Sequence, residues 1–436
     1  MPGEHVCRST CNGSCKSLGG GYACDGDHFC RARCDGGGGA CGGCAGSEVC
    51  DTGAGVCRPA CAGGCPTGWR CVGLDLVAAS VPAICVGCSP TASPTFTPPT
   101  LAPIVYYDAG SGERTAGIAV GDLGGRGPSV IAVDAAAGQL WVYPSDGSGA
   151  LGPPIAYAAP GATRAAVVDV TRDGFGDVVV AATTNVLVFP GNGDGTLGSA
   201  LVGATLAATS LVVGDFDGDG YDEVAVAGRG SGALGIIAGD GAGGVTLLAS
   251  FGKSDGSYVR LGGADFDGDG RLDLYADDEL GAIDTWLAGS GAGVSFARGP
   301  STSLANRGDS AVFDIDGDGG PDLALLAGGA LVAMLHGDGG AFGAMTDVAL
   351  PGASTLAAGD IDGDGHVDLT VADQAGAALH VLSGDGTTLI YSAEIALVGG
   401  PDSVALADLD GDQMADLVVG FAAGGVGVLV NRTPPP

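Results

Sequence analysis

The chain has 436 residues, of which 46% are hydrophobic and 85 are glycine, and its formal net charge is −33 at pH 7. This length allows more than one domain and this apolar content allows a packed core, so global disorder is not expected. Because only 17 residues are lysine or arginine, there is no basic stripe to neutralise phosphates, and we expect no nucleic-acid partner.

The first segment, residues 1–88, contains all 15 cysteines and few apolar residues between them. A segment that cannot build a core is usually stapled by disulfides, which form outside the cytosol. We therefore predict a small disulfide-rich region in a secreted or cell-surface protein, with one thiol left over because the count is odd. The pairs Cys41–Cys44 and Cys85–Cys88 leave zinc as an alternative, although they lie too far apart for an ordinary zinc ribbon.

The N-terminus lacks the basic and apolar regions of a signal peptide, which conflicts with a secreted location. We therefore expect a mature, truncated or mis-started chain. No stretch is long and apolar enough to span a bilayer. Residues 89–103 contain five prolines and no charge, a composition typical of an extended linker with polyproline II bias.

From residue 104 to residue 433 the chain repeats with a period of 46 to 50 residues, and each copy contains one aspartate-rich loop. A short apolar run precedes each loop. Two more runs follow it, and a glycine turn then leads to a fourth. Runs this short, bounded by Gly and Asp, are predicted to be strands, and Asp-Gly turns favour hairpins. We number the loops one to seven by their first residues: Asp122, Asp169, Asp215, Asp265, Asp314, Asp360 and Asp408.

Four strands in about 48 residues match one blade of a β-propeller. The predicted fold is therefore all-β, a seven-bladed β-propeller with four-stranded blades, preceded by the disulfide-rich region. The seventh copy lacks a fourth strand, whereas a strand at Ile104–Tyr107 precedes the first copy. We predict that this N-terminal strand completes the last blade, because closure removes the open edge of a linear array.

The loops carry the only clear chemistry in the chain. Loop five reads Asp314-Ile-Asp316-Gly-Asp318-Gly-Gly-Pro-Asp322, with carboxylates at positions one, three, five and nine. Such a loop can wrap Ca²⁺, which takes six to eight oxygens in flexible geometry, better than Mg²⁺, which demands a stricter octahedron. An EF-hand is excluded because position twelve is apolar instead of Glu. Metal-free turns are the alternative, but four unneutralised carboxylates would repel one another.

This pattern of loops and strands resembles the FG-GAP or VCBS repeat family, best known from the integrin α-subunit propeller and from secreted bacterial proteins. The resemblance covers about residues 104–433. It implies that side chains at positions one, three, five and nine and the carbonyl at position seven bind Ca²⁺. We expect about six calcium sites, five of them strong; loop two should bind more weakly because Thr171 and Arg172 break its pattern, and loop one, which keeps only Asp122, should be empty. The implied ligands are Asp169, Thr171, Asp173, Phe175 and Asp177 in loop two; Asp215, Asp217, Asp219, Tyr221 and Glu223 in loop three; Asp265, Asp267, Asp269, Arg271 and Asp273 in loop four; Asp314, Asp316, Asp318, Gly320 and Asp322 in loop five; Asp360, Asp362, Asp364, His366 and Asp368 in loop six; and Asp408, Asp410, Asp412, Met414 and Asp416 in loop seven.

The sequence favours an extracellular calcium-binding recognition, adhesion or scaffold module, with structural calcium and an unidentified glycan or protein ligand. The alternative is a secreted carbohydrate-active enzyme, a polysaccharide lyase or glycosidase on a propeller scaffold. That enzyme would need a cluster of Lys, Arg, Tyr or His on one face, and no catalytic motif is visible, so we expect no enzymatic activity. Fold alone does not decide between them. The tripeptide Arg307-Gly308-Asp309 matches an integrin-recognition motif, which we attribute to chance.

Overall fold

The computed structural model describes residues 22–24, 30–32, 48–51, 56–59, 99–108, 115–228, 234–240, 244–253, 257–290, 293–303, 307–327, 331–338, 341–350 and 352–434. The chain divides into two compact units, Met1–Thr95 and Phe96–Pro436. Within the described residues all regular structure is β-strand, and no helix is long and apolar enough to cross a membrane.

The first unit contains two short antiparallel hairpins, β1 (Tyr22–Cys24) with β2 (Cys30–Ala32) and β3 (Glu48–Asp51) with β4 (Val56–Pro59). In their registers Cys24 is opposite Cys30 and Cys50 is opposite Cys57. The thiols that would form the predicted disulfides or the alternative zinc site lie outside the described part of the structure.

The second unit forms seven four-stranded antiparallel sheets, which we number as blades one to seven after the loop that each contains. Six of them use four strands that are consecutive in the chain, and the seventh joins the two ends of the unit. The predicted all-β propeller with four-stranded blades is confirmed. The strands are β5 (Val105–Tyr107); β6 (Thr115–Gly121), β7 (Ser129–Asp134), β8 (Gln139–Tyr143) and β9 (Ile155–Ala158); β10 (Ala162–Val168), β11 (Asp177–Ala182), β12 (Val186–Phe189) and β13 (Leu201–Ala204); β14 (Ala208–Gly214), β15 (Glu223–Gly228), β16 (Leu234–Gly239) and β17 (Val245–Phe251); β18 (Tyr258–Ala264), β19 (Asp273–Asp278), β20 (Ala282–Ala288) and β21 (Phe296–Ser303); β22 (Arg307–Phe313), β23 (Asp322–Ala327), β24 (Leu331–Asp338) and β25 (Ala341–Ala349); β26 (Ala353–Gly359), β27 (Asp368–Asp373), β28 (Ala378–Gly384) and β29 (Leu389–Ala396); and β30 (Pro401–Ala407), β31 (Asp416–Phe421) and β32 (Val426–Leu429).

The first strand of each blade forms the inner wall of a closed ring. Each of these strands, β6, β10, β14, β18, β22, β26 and β30, packs beside the first strand of the next blade, and β30 packs beside β6. The aspartate-rich loops connect these inner strands to the second strands of their blades. All seven loops therefore leave the same end of the ring.

The two ends of the second unit close the seventh blade together. Strand β5 pairs antiparallel with β32, with Val105 opposite Val428 and Tyr107 opposite Val426. This is the pairing that the incomplete seventh copy predicts, and it covers the edge of β32. The pairing also extends into the segment assigned to the linker from the sequence, because the Ala102 N–H donates to the Val430 carbonyl at 2.8 Å.

The core lies between neighbouring blades. In every blade all six residues of the second strand are buried, which explains why these runs are apolar at consecutive positions. Between blades seven and one, for example, Val130 and Tyr143 pack against Val418 and Val428. Each fully buried aliphatic side chain contributes about 1.5–3 kcal/mol, so the contacts between blades hold the rigid frame on which the loops are mounted.

Candidate metal centres

The carboxylate at position one organises each loop. In loop five Asp314 Oδ1 accepts a hydrogen bond from the Gly317 N–H at 2.7 Å, and Asp314 Oδ2 accepts one from the Gly319 N–H at 2.9 Å. Loops three, four, six and seven repeat both bonds at 2.7–3.0 Å. Gly317 and Gly319 have φ angles of 74° and 87°, which favour glycine because it has no Cβ.

The carboxylate at position nine is buried and ties the loop to a second part of the blade. In loop six Asp368 Oδ2 accepts from the Ile361 N–H at 2.8 Å, and Asp368 Oδ1 accepts from the Gly384 N–H at 2.9 Å. Gly384 ends the third strand of that blade. Asp273 and Asp416 make the equivalent pair of bonds, and Asp177 accepts instead from the N–H groups of position three, Thr171, and of Gly191. From the sequence, position nine is expected only as a ligand; its place at the start of a buried apolar run was the signal for this second role.

Burial raises the pKa of the position-nine carboxyl groups in loops two, three, four, six and seven. The raised pKa reaches about 7 for Glu223 and about 6 for Asp273, Asp368 and Asp416. Backbone hydrogen bonds act in the opposite direction, while the neighbouring carboxylates of the same loop raise these pKa values further. An uncompensated negative charge at the buried end of the loop favours a bound cation.

In five loops the structure brings three carboxylates together, with one oxygen from each lying within 4.8 Å of the other two. Two oxygens that bind one Ca²⁺ at 2.3–2.6 Å cannot be more than about 5 Å apart, so these groups fit a single calcium ion. Hard oxygen donors without nitrogen or sulfur also suit calcium. The groups are Asp215, Asp217 and Glu223; Asp265, Asp267 and Asp269; Asp314, Asp316 and Asp322; Asp360, Asp362 and Asp368; and Asp408, Asp410 and Asp416.

The remaining predicted ligands lie on the same loops but outside these groups. They include the carboxylates at position five in loops three, five, six and seven, and Asp273 in loop four. Position-five carboxylates instead accept a hydrogen bond from the N–H of position seven, as Asp364 does from His366 at 2.8 Å. The carbonyl ligands at position seven stay a prediction.

Loop two differs from the five loops that form such groups. Thr171 replaces a carboxylate at position three, and its N–H donates to Asp177 Oδ2 at 2.8 Å. Arg172 occupies the position of the first glycine with a φ of 62°, a conformation that costs free energy for any residue with a Cβ. Among the described residues no group of three metal-ligating side chains forms at this loop.

The Arg172 side chain reaches from loop two into loop three of the adjacent blade. Its Nη1 lies 2.9 Å from Asp219 Oδ2 and its Nη2 lies 3.1 Å from Glu223 Oε1. The guanidinium carbon is 4.4 Å from the centre of the Tyr221 ring. The positively charged side chain of Arg172 therefore neutralises part of the negative charge of loop three. This contact joins residues of two different copies and therefore has no local sequence pattern; an arginine at a glycine position was the available signal.

Comparison with known proteins agrees with this geometry. A family model described as an FG-GAP-like repeat matches residues 169–226, 215–276, 314–371 and 360–419, and each match starts at the first aspartate of a loop. A search of curated protein sequences gave no match.

Solved structures show the same fold at low identity. A crystal structure of BBS1N in complex with ARL6DN, soaked with lead, has a TM-score of 0.55 and 12% identity, covering 76% of this chain and 98% of that chain. The mercury-soaked form has a TM-score of 0.56 and 11% identity, covering 77% and 98%. At this identity the likeness concerns the fold alone.

Proposed function

Because this chain is an FG-GAP-like repeat protein that folds as a β-propeller, we propose that it is an extracellular calcium-stabilised recognition or scaffold module. Its seven blades form a closed disc, and calcium in loops two to seven fixes the connection between the first two strands of each blade. The disc presents loops at both ends, and the cysteine-rich segment tethers it.

The observation that carries this proposal is that a group of three carboxylates recurs in five loops, with oxygens within 4.8 Å of one another, and in four of these loops the group includes position nine. Like charges at this distance repel, and burial of the position-nine carboxylate strengthens that repulsion. A tight turn can form without three carboxylates placed close together, so turn geometry alone does not explain these groups. Bound calcium converts the repulsion into attraction at every one of these loops.

The test is thermal unfolding of the full chain with Ca²⁺ and with EGTA. We expect the melting temperature to fall in EGTA, because a ligand that binds only the native state stabilises it by mass action. Titration calorimetry should give five strong sites and a weaker sixth. An unchanged melting curve in EGTA, together with no calcium binding, would refute structural calcium.

We propose that the module acts by binding instead of catalysis. A buried ionisable cluster lies at blade four, where Asp284 contacts Lys253 at 3.0 Å and Arg298 at 2.7 Å. Burial acts to raise the pKa of Asp284, but hydrogen bonds from Arg298, Ser301 and Lys253 outweigh it and lower the pKa to about 2. A carboxylate kept ionised in this way suits a structural ion pair better than a general acid.

The partner is proposed to be a glycan or a protein. The structurally similar BBS1N is in complex with ARL6DN, which supports a protein partner as one option for a propeller of this shape. A glycan-array screen in Ca²⁺, run beside a polysaccharide-lyase assay, separates recognition from catalysis. Depolymerisation of a glycan by the purified chain would contradict a purely binding role.

A further inference from the structure

A ring of seven equivalent residues lies at the centre of the propeller. Each is five positions before the first aspartate of its loop, on the innermost strand of its blade. Six of the seven are polar or charged, although the strands around them are mostly apolar. We call these residues the axial ring: Gly117, Arg164, Ser210, Arg260, Asp309, Thr355 and Ser403.

A local irregularity of the strand pairing accompanies every member of this ring. The register between the first two strands shifts just before six of its residues, for example between Ala162 and Arg164, and in blade five the shift spans Arg307 to Ser310. Such bulges re-aim a side chain relative to a regular strand. All seven bulges occur at the same position of the repeat, which indicates a shared constraint at the axis.

Six of the ring residues line a cavity of about 220 Å³. The innermost strands of all seven blades contribute to its wall, with Ile118 representing blade one, so the cavity lies on the axis that they surround. The hydroxyl groups of Ser210, Ser310, Thr355 and Ser403 belong to residues of this wall. A concave site with several convergent polar groups on a rigid frame is a candidate for ligand binding.

The charged residues of the cavity wall are Arg164, Arg260 and Asp309, which gives a local balance of +1. A positive local charge is unusual in a chain whose net charge is −33. Since field lines concentrate in a cleft with low-dielectric walls, a cationic cavity attracts an anion even when the rest of the surface is acidic.

Asp309 already places one carboxylate between the two arginines. Its Oδ1 lies 3.4 Å from Arg164 Nη2, across the axis from blade five to blade two, and 4.0 Å from Arg260 Nε. Its Oδ2 accepts hydrogen bonds from Thr355 Oγ1 and, at 3.4 Å, from the Leu356 N–H. The aspartate of the Arg-Gly-Asp tripeptide is therefore engaged inside the propeller.

The wall still has unused hydrogen-bonding capacity. Arg260 Nε and Ser403 Oγ are buried and have no hydrogen-bond partner among the described residues, and Ser403 is only 5% exposed. Buried polar atoms without a partner are rare because each one costs free energy. Both atoms are covered by protein, and Ser403 Oγ lies over Gly420, so a ligand in the cavity would bond to them only after these side chains rotate.

We propose that the axial cavity binds the carboxylate of an acidic sugar through Arg164 and Arg260, with Asp309 as the resident carboxylate that competes for them. The arginines recognise the planar carboxylate, which their guanidinium groups match, and the hydroxyl-bearing wall suits a sugar ring. This inference rests on the proposed recognition function and names its ligand class. It is independent of calcium in the loops.

The experiment is calorimetric titration of the calcium-loaded full chain with galacturonate, with galactose as the neutral control and N-acetylaspartate as an acidic non-sugar. We expect binding of galacturonate above both controls. The double variant Arg164→Gln/Arg260→Gln should abolish it. Asp309→Asn should strengthen it roughly tenfold, because removal of a competing like charge favours the ligand.

The matched control is Arg126→Gln, which removes the same charge from an exposed position in loop one and should leave the affinity unchanged. Melting temperatures check that each variant is folded. If the double variant is not folded, Arg260→Lys is used in its place.

Absence of galacturonate binding by both the wild type and Asp309→Asn overturns the proposal. Equal or tighter binding of galactose or N-acetylaspartate overturns the assignment to an acidic sugar. If galacturonate does not bind but the melting temperature of the same samples still depends on calcium, the result contradicts ligand binding in the cavity and leaves structural calcium in the loops supported.

Discussion

Asp360 and Asp122 begin loops six and one at the same position, but their surroundings differ. Asp360 accepts from two loop N–H groups, at 2.7 and 3.0 Å, and belongs to a group of three carboxylates. Asp122 accepts from the Gly124 N–H at 2.8 Å, and glycine and arginine stand where the next ligands would be. The same substitution at these two residues therefore isolates the contribution of a complete loop.

We predict that Asp360→Asn removes one calcium site and lowers the melting temperature in Ca²⁺, whereas Asp122→Asn leaves the stoichiometry unchanged. Each kcal/mol of lost stability should appear as roughly 1–2 °C in a domain of this size. Calorimetric titration and thermal unfolding measure both quantities. Loss of a site in both variants would contradict the distinction between the two loops.

Arg172 is the residue whose role changed most between sequence and structure. From the sequence it only weakens loop two, but its guanidinium contacts Asp219 and Glu223 of loop three at 2.9 and 3.1 Å. Calcium in loop three must bind beside this cation or displace it. The arginine therefore stabilises the metal-free form of loop three and opposes its metal-bound form.

We predict that Arg172→Gln raises the affinity of loop three for calcium by about tenfold. This factor corresponds to a pKa change of about one unit and comes from the electrostatic repulsion between the guanidinium and the bound ion, which the substitution removes. The same variant should lower the melting temperature in EGTA. Terbium luminescence sensitised by Tyr221 reports this loop, and Tyr221→Leu identifies its share of the signal. Arg126→Gln should change neither quantity; an unaltered affinity in Arg172→Gln would show that the guanidinium does not compete.

At the scale of elements, strand β5 determines whether the ring is closed. It supplies the outer strand of blade seven by pairing with β32. The Tyr107 hydroxyl also accepts from the Leu151 N–H at 3.0 Å, which ties the strand to blade one. Without β5, blade seven would expose a strand edge, and exposed edges promote association with other chains.

We predict different outcomes for two N-terminal truncations. Removal of residues 1–98 should leave the melting temperature of the propeller nearly unchanged, because β5 and its preceding contacts remain. Removal of residues 1–110 should lower the melting temperature and promote aggregation. Thermal unfolding and size-exclusion chromatography test both, and equal stability of the two truncations would mean that β5 contributes nothing to closure.

At the scale of the whole molecule, the buried position-nine carboxyl groups link stability to pH. In loops three, four, six and seven their native-state pKa is raised to about 6 or 7, above the unfolded values near 4. Well below pH 4 these groups are neutral in both states and have no effect. As pH rises towards 7 they ionise more readily in the unfolded state, so the metal-free native state loses stability.

We therefore predict that in calcium-depleted buffer the free energy of unfolding falls between pH 4 and pH 7, whereas in saturating Ca²⁺ it falls less or rises. Denaturant unfolding across this range measures it. Asp368→Asn should reduce the slope in calcium-depleted buffer, since one titrating group is lost. A slope of the same sign and size with and without calcium would count against cation binding at these loops.

The repeat period, the strand-forming runs and the missing fourth strand of the last copy were readable from the sequence, because each is a local pattern that recurs at one spacing. The same holds for the carboxylates of loops three to seven, since a loop of nine residues brings its own side chains together. The second hydrogen bond of Asp368 to the Gly384 N–H was not readable, because it depends on how the third strand returns beside the loop.

Contacts between copies were decided only by the tertiary structure. Arg172 meets Glu223 because adjacent blades pack side by side, and Arg164 meets Asp309 because a closed ring brings blades two and five together across its axis. Neither pair has a characteristic spacing in the chain. The blade and its metal loop are therefore encoded in local sequence, whereas the assembly of the blades created the axial cavity and the charge that this cavity presents.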